Sequence, residues 1–229
     1  MQQTPLPPID RTPAMTGQEY AYRRLRNAVM AGWLPPGASL TIRGVAELLD
    51  LSPTPIREAL RRLSSENAIE VLGNRRLRVP DMTPARFEDL VALRVAIETH
   101  AGARALPHVS DVVIDEMAET DARIAAAREA GDLDRVTALN HAFHRRLYEL
   151  PPDQASMPLI ESVWLQLGPF QRLAREDVDA ARIQDAHPAI LSALVSRDTD
   201  ALAAAITHDI RSVAEVTAPR NAVATTLPT

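Results

Sequence analysis

Between residues 41 and 80 the chain carries two short amphipathic segments, a stop and a basic hairpin in a fixed order, and that order constrains the fold more than any other feature. TIRGVAELLDL places Val45, Leu48 and Leu49 on one side of a helix. After a short break, SPTPIREALRRLSSENAI repeats the pattern with Ile56, Leu60 and Leu63. Ser52 is a natural N-cap for this second helix, and its prolines fall in or next to the first turn, where a backbone N–H has no helical partner to lose. Asn67 closes the segment, because Asn tolerates left-handed backbone. IEVLGNRRLRVP then reads as two short strands, 69–72 and 77–79, around Gly73 and Asn74. Upstream, residues 17–31 put Tyr20, Leu25, Val29 and Met30 near one helical face, and WLPPGASL reads as a turn. The expected unit is a winged helix-turn-helix.

Two tightly joined helices, the second opening on small polar residues and bearing arginine on its exposed side, can place that second helix in a DNA major groove. Arg57 and Arg61 project one turn apart, opposite the apolar stripe, and Ser52 and Thr54 stand at the helix start. Arg43 and the hairpin residues Arg75, Arg76 and Arg78 are placed for phosphates or the minor groove. Taken singly, each arginine also fits an ordinary solvated face. The charge distribution bears on the choice. The chain carries a net −5, yet residues 1–80 hold 11 arginines against 7 acidic side chains, and the remainder holds 14 against 23. Positive charge sits where counterion release from phosphates would require it.

From residue 83 the periodicity is helical, with helices expected at about 84–106, 110–130, 132–149, 154–174, 179–196 and 199–217. Breaks fall at Pro107, Gly131, Pro151-Pro152 and Asp198. The fold expected is mainly α, a winged helix followed by an antiparallel six-helix bundle. In this reading residues 1–15 form a flexible proline-rich arm, 16–80 the DNA-binding domain, 81–218 an effector-binding and dimerisation domain, and 219–229 a disordered tail. Aromatic residues make up only 3%, in keeping with packed aliphatic helices. The absence of cysteine excludes disulfides, thiolate catalysis and Cys-ligated zinc. No run of about 18 apolar residues occurs, and the N-terminus has no charged start followed by an apolar stretch, so the expected place is the cytoplasm and no membrane contact is expected.

Three histidines fall inside predicted bundle helices: His144, His187 and His208. Asn140 lies one turn before His144 on the same face. Imidazoles from three helices would make an open site for a divalent cation, zinc or nickel, although any one of them could be a satisfied core or surface histidine. His141 would face about 100° away from Asn140 and is left out, and His100 and His108 read as surface or helix-end residues. A cavity holding a cation and an arginine suits a small carboxylate metabolite. Arg94 could grip that group in a bidentate pair, or could pair with Glu98 four residues on. Gln166 and Arg172 in the fourth bundle helix are further candidates to line the cavity.

The segment SPTPIREALRRLSSENAIEV resembles the signature of the GntR family, and the likeness runs over residues 40–79. It implies that Arg43, Thr54 and Arg57 occupy DNA-contacting positions and that Ser52 starts the recognition helix. Pro53 stands where the family usually has arginine, which removes a common base or phosphate contact, and Asn67 replaces the usual glycine. The bundle resembles the all-helical FCD domain of the FadR-like branch, with DLVALRVAIETHAGARAL similar to that domain's first helix. Six helices rather than seven bring it closer to the shorter VanR-like type. Metal-binding members carry Asp, three residues, His, and two later histidines in the last two helices. The resemblance therefore implies His144, His187 and His208 as ligands, with Asn140 a neutral and weaker donor where Asp is usual. It also implies a homodimer on a short palindromic operator in double-stranded DNA, a repressor released by a metabolite. The alternative is a metal-dependent enzyme tethered to DNA, against which no carboxylate sits at general-base spacing beside the histidines.

Overall fold

The computed structural model describes residues 6, 9–72, 76–177 and 186–218, the side chains of 171–177 and 217 excepted. The DNA-binding unit opens with α1 (Gly17–Met30), whose Thr16 cap accepts the Glu19 N–H at 3.1 Å and whose Ala21, Leu25, Ala28 and Val29 are buried. Next come β1 (Ser39–Leu40), α2 (Ile42–Leu49) and α3 (Pro53–Ser65). Asp50 at φ 52° lets the chain reverse between α2 and α3, and Asn67 at φ 58° ends the unit's third helix as the sequence predicts. Strands β2 (Glu70–Leu72) and β3 (Arg76–Arg78) follow.

The wing has three strands rather than the expected two. β3 lies between β1 and β2, antiparallel to both, with Leu77 opposite Leu40 on one side and Val71 on the other. A two-residue strand directly after Pro-Pro-Gly is too short to leave a periodic signal, so the sequence reads there as turn alone. Ser52 occupies the N-cap position of α3, but its side chain makes no capping bond. The third helical residue is Pro55, which lacks the N–H that a serine cap commonly reaches. Its hydroxyl is left at the exposed helix start.

The bundle comprises α4 (Pro84–Ala105), a 3-10 turn at Leu106–His108, α5 (Asp111–Glu129), α6 (Leu133–Tyr148), α7 (Ser156–Asp177), α8 (His187–Ser196) and α9 (Thr199–Thr217). Thr83, Ser110, Asp132 and Asp198 cap α4, α5, α6 and α9 through their side chains. α4 packs against α6, α7 and α9, while α5 lies on α6 and α8. Phe143, Tyr148, Trp164, Ile190 and Ile206 are fully buried in this core. Gly73 and Asn74, Arg75, the beginning of the predicted fifth bundle helix and the tail from 219 lie outside the described residues. No helix among the described residues is long and apolar enough to cross a membrane.

The two units are docked. α1 packs on α7, where Gly168 allows so close an approach that a Cβ there would lie 2.6 Å from the Val29 carbonyl oxygen and 2.7 Å from Met30 Cα. Arg26 of α1 pairs with Glu161 of α7 at 3.0 Å, and Trp33 donates its indole N–H to Asp134 of α6 at 3.0 Å. The N-terminal arm, expected to be free, has an anchor: Leu6 is buried and its carbonyl accepts from Arg24 Nη2 at 3.0 Å.

Candidate nucleic-acid face and ligand centre

On the winged helix, Ser52, Thr54, Arg57 and Arg61 are all exposed along α3, because Ile56, Ala59, Leu60 and Leu63 take the other side into the core. Arg43 and Arg76 are exposed too. Arg43 rests on Glu47 at 2.8 Å and Arg61 on Glu58 at 3.2 Å. Exposed pairs of this kind are held weakly, so a phosphate can displace either carboxylate. Arg57 has no side-chain hydrogen bond or ion pair among the described residues. Arg78 is half-buried in the wing and pairs with two carboxylates rather than one, Glu70 at 2.6 Å and Asp81 at 2.9 Å. Arg75 lies outside the described residues.

In the bundle, α6, α8 and α9 converge on one buried polar cluster. His144 of α6, His187 of α8 and Asp209 of α9 each offer a ligand atom, and these atoms lie within 4.8 Å of one another. His144 Nε2 stands 3.1 Å from Asp209 Oδ2, and both residues are buried. Burial alone would raise the Asp209 carboxyl, but contact with His144 and the fields of His187 and Arg94 outweigh it and hold it at about 2. The carboxylate is therefore ionised at neutral pH.

Of the expected ligands the structure brings His144 and His187 together and leaves His208 outside the group, where Asp209 stands instead. One residue is 100° of helix. Leu202, Ile206 and Ile210 set the buried side of α9, and Asp209 falls on that side while His208 faces out. His208 instead lines a surface groove between α4 and α9 with Thr99, Thr207, Arg211 and Glu215. Asn140 is half-buried one turn before His144 and makes no hydrogen bond among the described residues. The carboxylate that position 140 lacks is thus present at position 209, and the cluster keeps one negative ligand.

Arg94 is buried and donates from Nε to Glu98 Oε1 at 2.6 Å, so of its two sequence readings the pair with Glu98 is the one formed. Glu98, fully buried, also accepts from Trp164 Nε1 at 2.8 Å and from Tyr148 at 3.1 Å. Burial and the Glu98 charge push the Tyr148 hydroxyl well above its ordinary value, so it stays a donor. Desolvation disfavours a charged Arg94, yet Glu98 and Asp209 more than compensate and its pKa is raised. The end of Arg94 also borders a small apolar cleft with Phe87, Val91, Leu167 and Ile210. Gln166 is drawn elsewhere, accepting from Arg86 at 2.9 Å on the outside of α4 and α7. The side chain of Arg172 lies outside the described residues. His141, set aside in the sequence reading, stacks on Trp164 at 4.9 Å.

The donor set suits a divalent cation. Two imidazoles and an ionised carboxylate converge from three helices, and three protein ligands are the usual complement of a zinc site that keeps a position open.

Residues 18–79 match the family described as bacterial regulatory proteins, gntR family, and residues 89–212 match the FCD domain. The HTH-type transcriptional regulator McbR of Escherichia coli K12 is 28% identical over 179 residues, spanning 77% of this chain and 81% of that protein. The solved structure of E. coli McbR/YncC aligns with a TM-score of 0.82 at 25% identity, covering 88% of this chain and 97% of the other. The HTH-type transcriptional repressor RspR of the same strain is 24% identical, over 89% of this chain and 90% of its own length.

Proposed function

Because the chain belongs to the gntR family of bacterial regulatory proteins, with an FCD domain behind its winged helix, and is a transcriptional regulator, we propose that it is a repressor whose grip on DNA is set by a ligand in the bundle. It acts in the cytoplasm as a homodimer, its two α3 helices reading the half-sites of a short palindrome. The repressor reading draws support from the relative named RspR. The observation that carries the ligand reading is the burial of His144, His187, Asp209 and Arg94 in one cluster inside the domain that docks on α1.

His144, His187 and Asp209 would hold a divalent ion, zinc or nickel, and Asn140, one turn before His144 on α6, is a further candidate donor. The ion supplies a positive centre to which the carboxylate of a small metabolite binds, and Arg94 adds charge beside it. The ligand changes operator affinity only as far as it discriminates between two arrangements of the winged helices.

Protein purified without chelator should contain about one metal per chain by elemental analysis. His187→Ala and Asp209→Ala should each lose it, whereas His208→Ala should retain it. Wild-type protein with no stoichiometric metal would overturn the metal reading, and equal loss in the His208 variant would overturn the choice of ligands. A thermal-shift screen of small carboxylates on metal-loaded protein then tests the effector, since binding to the native state alone raises the melting temperature.

The DNA reading has its own test. Arg57→Ala should weaken specific operator binding by about 1 to 3 kcal/mol and relax the preference at one base position. An unchanged footprint and affinity would remove Arg57 from the interface.

A further inference from the structure

Along α5, Val113, Met117 and Ile124 mark the side turned into the bundle, and Asp121 sits on the same stripe, one turn beyond Met117. A carboxylate at such a position loses hydration and needs a partner. Its partner is His187: Asp121 Oδ1 lies 2.7 Å from His187 Nδ1. The His187 side chain is 2% exposed, and Phe143, fully buried, stacks on its ring at 4.0 Å between centroids and 23° between planes. The ring plane is thus held by Phe143 and its rotation within that plane by Asp121. Asp121 itself is outside the group formed by His144, His187 and Asp209, so it touches a ligand without being one.

We infer that Asp121 is the positioning residue of this centre, fixing His187 as the tautomer protonated on Nδ1 and so presenting Nε2 as the nitrogen that binds the cation. The inference rests on the metal reading for its consequence but not for its geometry. A carboxylate accepting from Nδ1–H selects that tautomer in the metal-free protein, and it raises the basicity of Nε2 toward a metal. Asp121 and His187 sit on different helices, so the bond also ties α5 to α8 at the site.

The test uses the full-length protein labelled with 15N, stripped of metal, with long-range nitrogen–proton correlations reporting the tautomer of His187 at neutral pH. Wild type should show the Nδ1–H form. Asp121→Ala should lose that bias and bind zinc about 10- to 100-fold more weakly. Asp121→Asn keeps an acceptor oxygen in nearly the same place. Its amide can offer Nδ1 either the oxygen or an N–H, so this variant should fold as wild type while losing part of the tautomer bias and of the zinc affinity, a loss that a purely structural role would not give. A wild-type ring protonated on Nε2, or an Asp121→Ala variant with tautomer and zinc affinity unchanged, would overturn the assignment. A wild-type ring in the Nδ1–H form that binds no zinc would overturn the metal reading and leave Asp121 as the residue that orients His187.

Discussion

Gly168→Val separates the winged helix from the bundle without unfolding either. The new side chain has no space, since even its Cβ would stand 2.6 Å from the Val29 carbonyl oxygen and 2.7 Å from Met30 Cα. Those are backbone atoms of α1, which cannot swing aside as the end of a side chain would. Overpacking of this kind costs about 1 to 3 kcal/mol where side chains can yield, and more where they cannot. The polar links across the junction, Arg26 to Glu161 and Trp33 to Asp134, are half-exposed and contribute about 1 kcal/mol each. The clash therefore matches or exceeds what they provide. Gly168 also precedes Pro169 inside α7, and a residue with a Cβ is disfavoured in helical backbone before proline. The clash parts the two units, while the second effect strains α7 only locally, at the turn already marked by Pro169. Small-angle scattering should report a larger radius of gyration, far-ultraviolet circular dichroism should keep its helical content, and Trp33 should emit further to the red while the fully buried Trp164 does not. Arg26→Ala, which removes one link and leaves α7 intact, should loosen the junction less. A scattering curve superposable on wild type would show that α1 accommodates the valine in place.

The parts legible in the sequence are those fixed by local chemistry. The Asn67 stop, the apolar stripe of α3 and the break at Asp198 are properties of a few adjacent residues, and they stand in the structure where pattern reading puts them. Strand β1 was missed because it exists only through pairing with β3, nearly forty residues away in the chain. The offset of one residue between His208 and the cluster has a different origin. Metal chemistry draws attention to a histidine, but the rotation of α9 is decided by Leu202, Ile206 and Ile210. Those three residues were visible, and extending their stripe would have selected position 209. The convergence of Trp164, Tyr148 and Glu98 leaves no comparable trace, because it joins α7, α6 and α4 through a packing that no single helix encodes. Gly168 likewise reads as an ordinary residue inside a predicted helix until α1 is laid against it.

That convergence sets the second large expectation, at Glu98. Glu98→Ala should destabilise the fold by about 3 to 5 kcal/mol, the range for stranding one partner of a buried ion pair. Removing the carboxylate leaves three donors without their acceptor: Arg94 Nε, which sat at 2.6 Å, the Trp164 indole N–H at 2.8 Å and the Tyr148 hydroxyl at 3.1 Å. The Arg94 charge cannot escape to water, since that residue is only 5% exposed. Asp209 is the remaining nearby anion, and drawing Arg94 toward it would change the field at His144 and His187 as well. Glu98→Gln keeps the shape and an acceptor oxygen, so it should cost less than alanine. The double variant Arg94→Met, Glu98→Leu removes both charges while filling the space, so it should recover the part of the loss that comes from the stranded Arg94 charge, while the Trp164 and Tyr148 donors stay without an acceptor. Urea unfolding midpoints of the single and double variants measure this coupling directly. Were Glu98→Ala to lie within about 1 kcal/mol of wild type, the cluster would have to be open to water, contrary to its burial. Were the double variant no better than the single one, the pair would stabilise the bundle in its own right. The expected ordering, alanine worst and the double variant between it and wild type, separates the cost of a stranded charge from that of the two unpaired donors. Arg94 acts on Asp209 and Asp209 on Arg94 through their charges, so the same variants also report how far the polar groups beside His144 and His187 depend on one another.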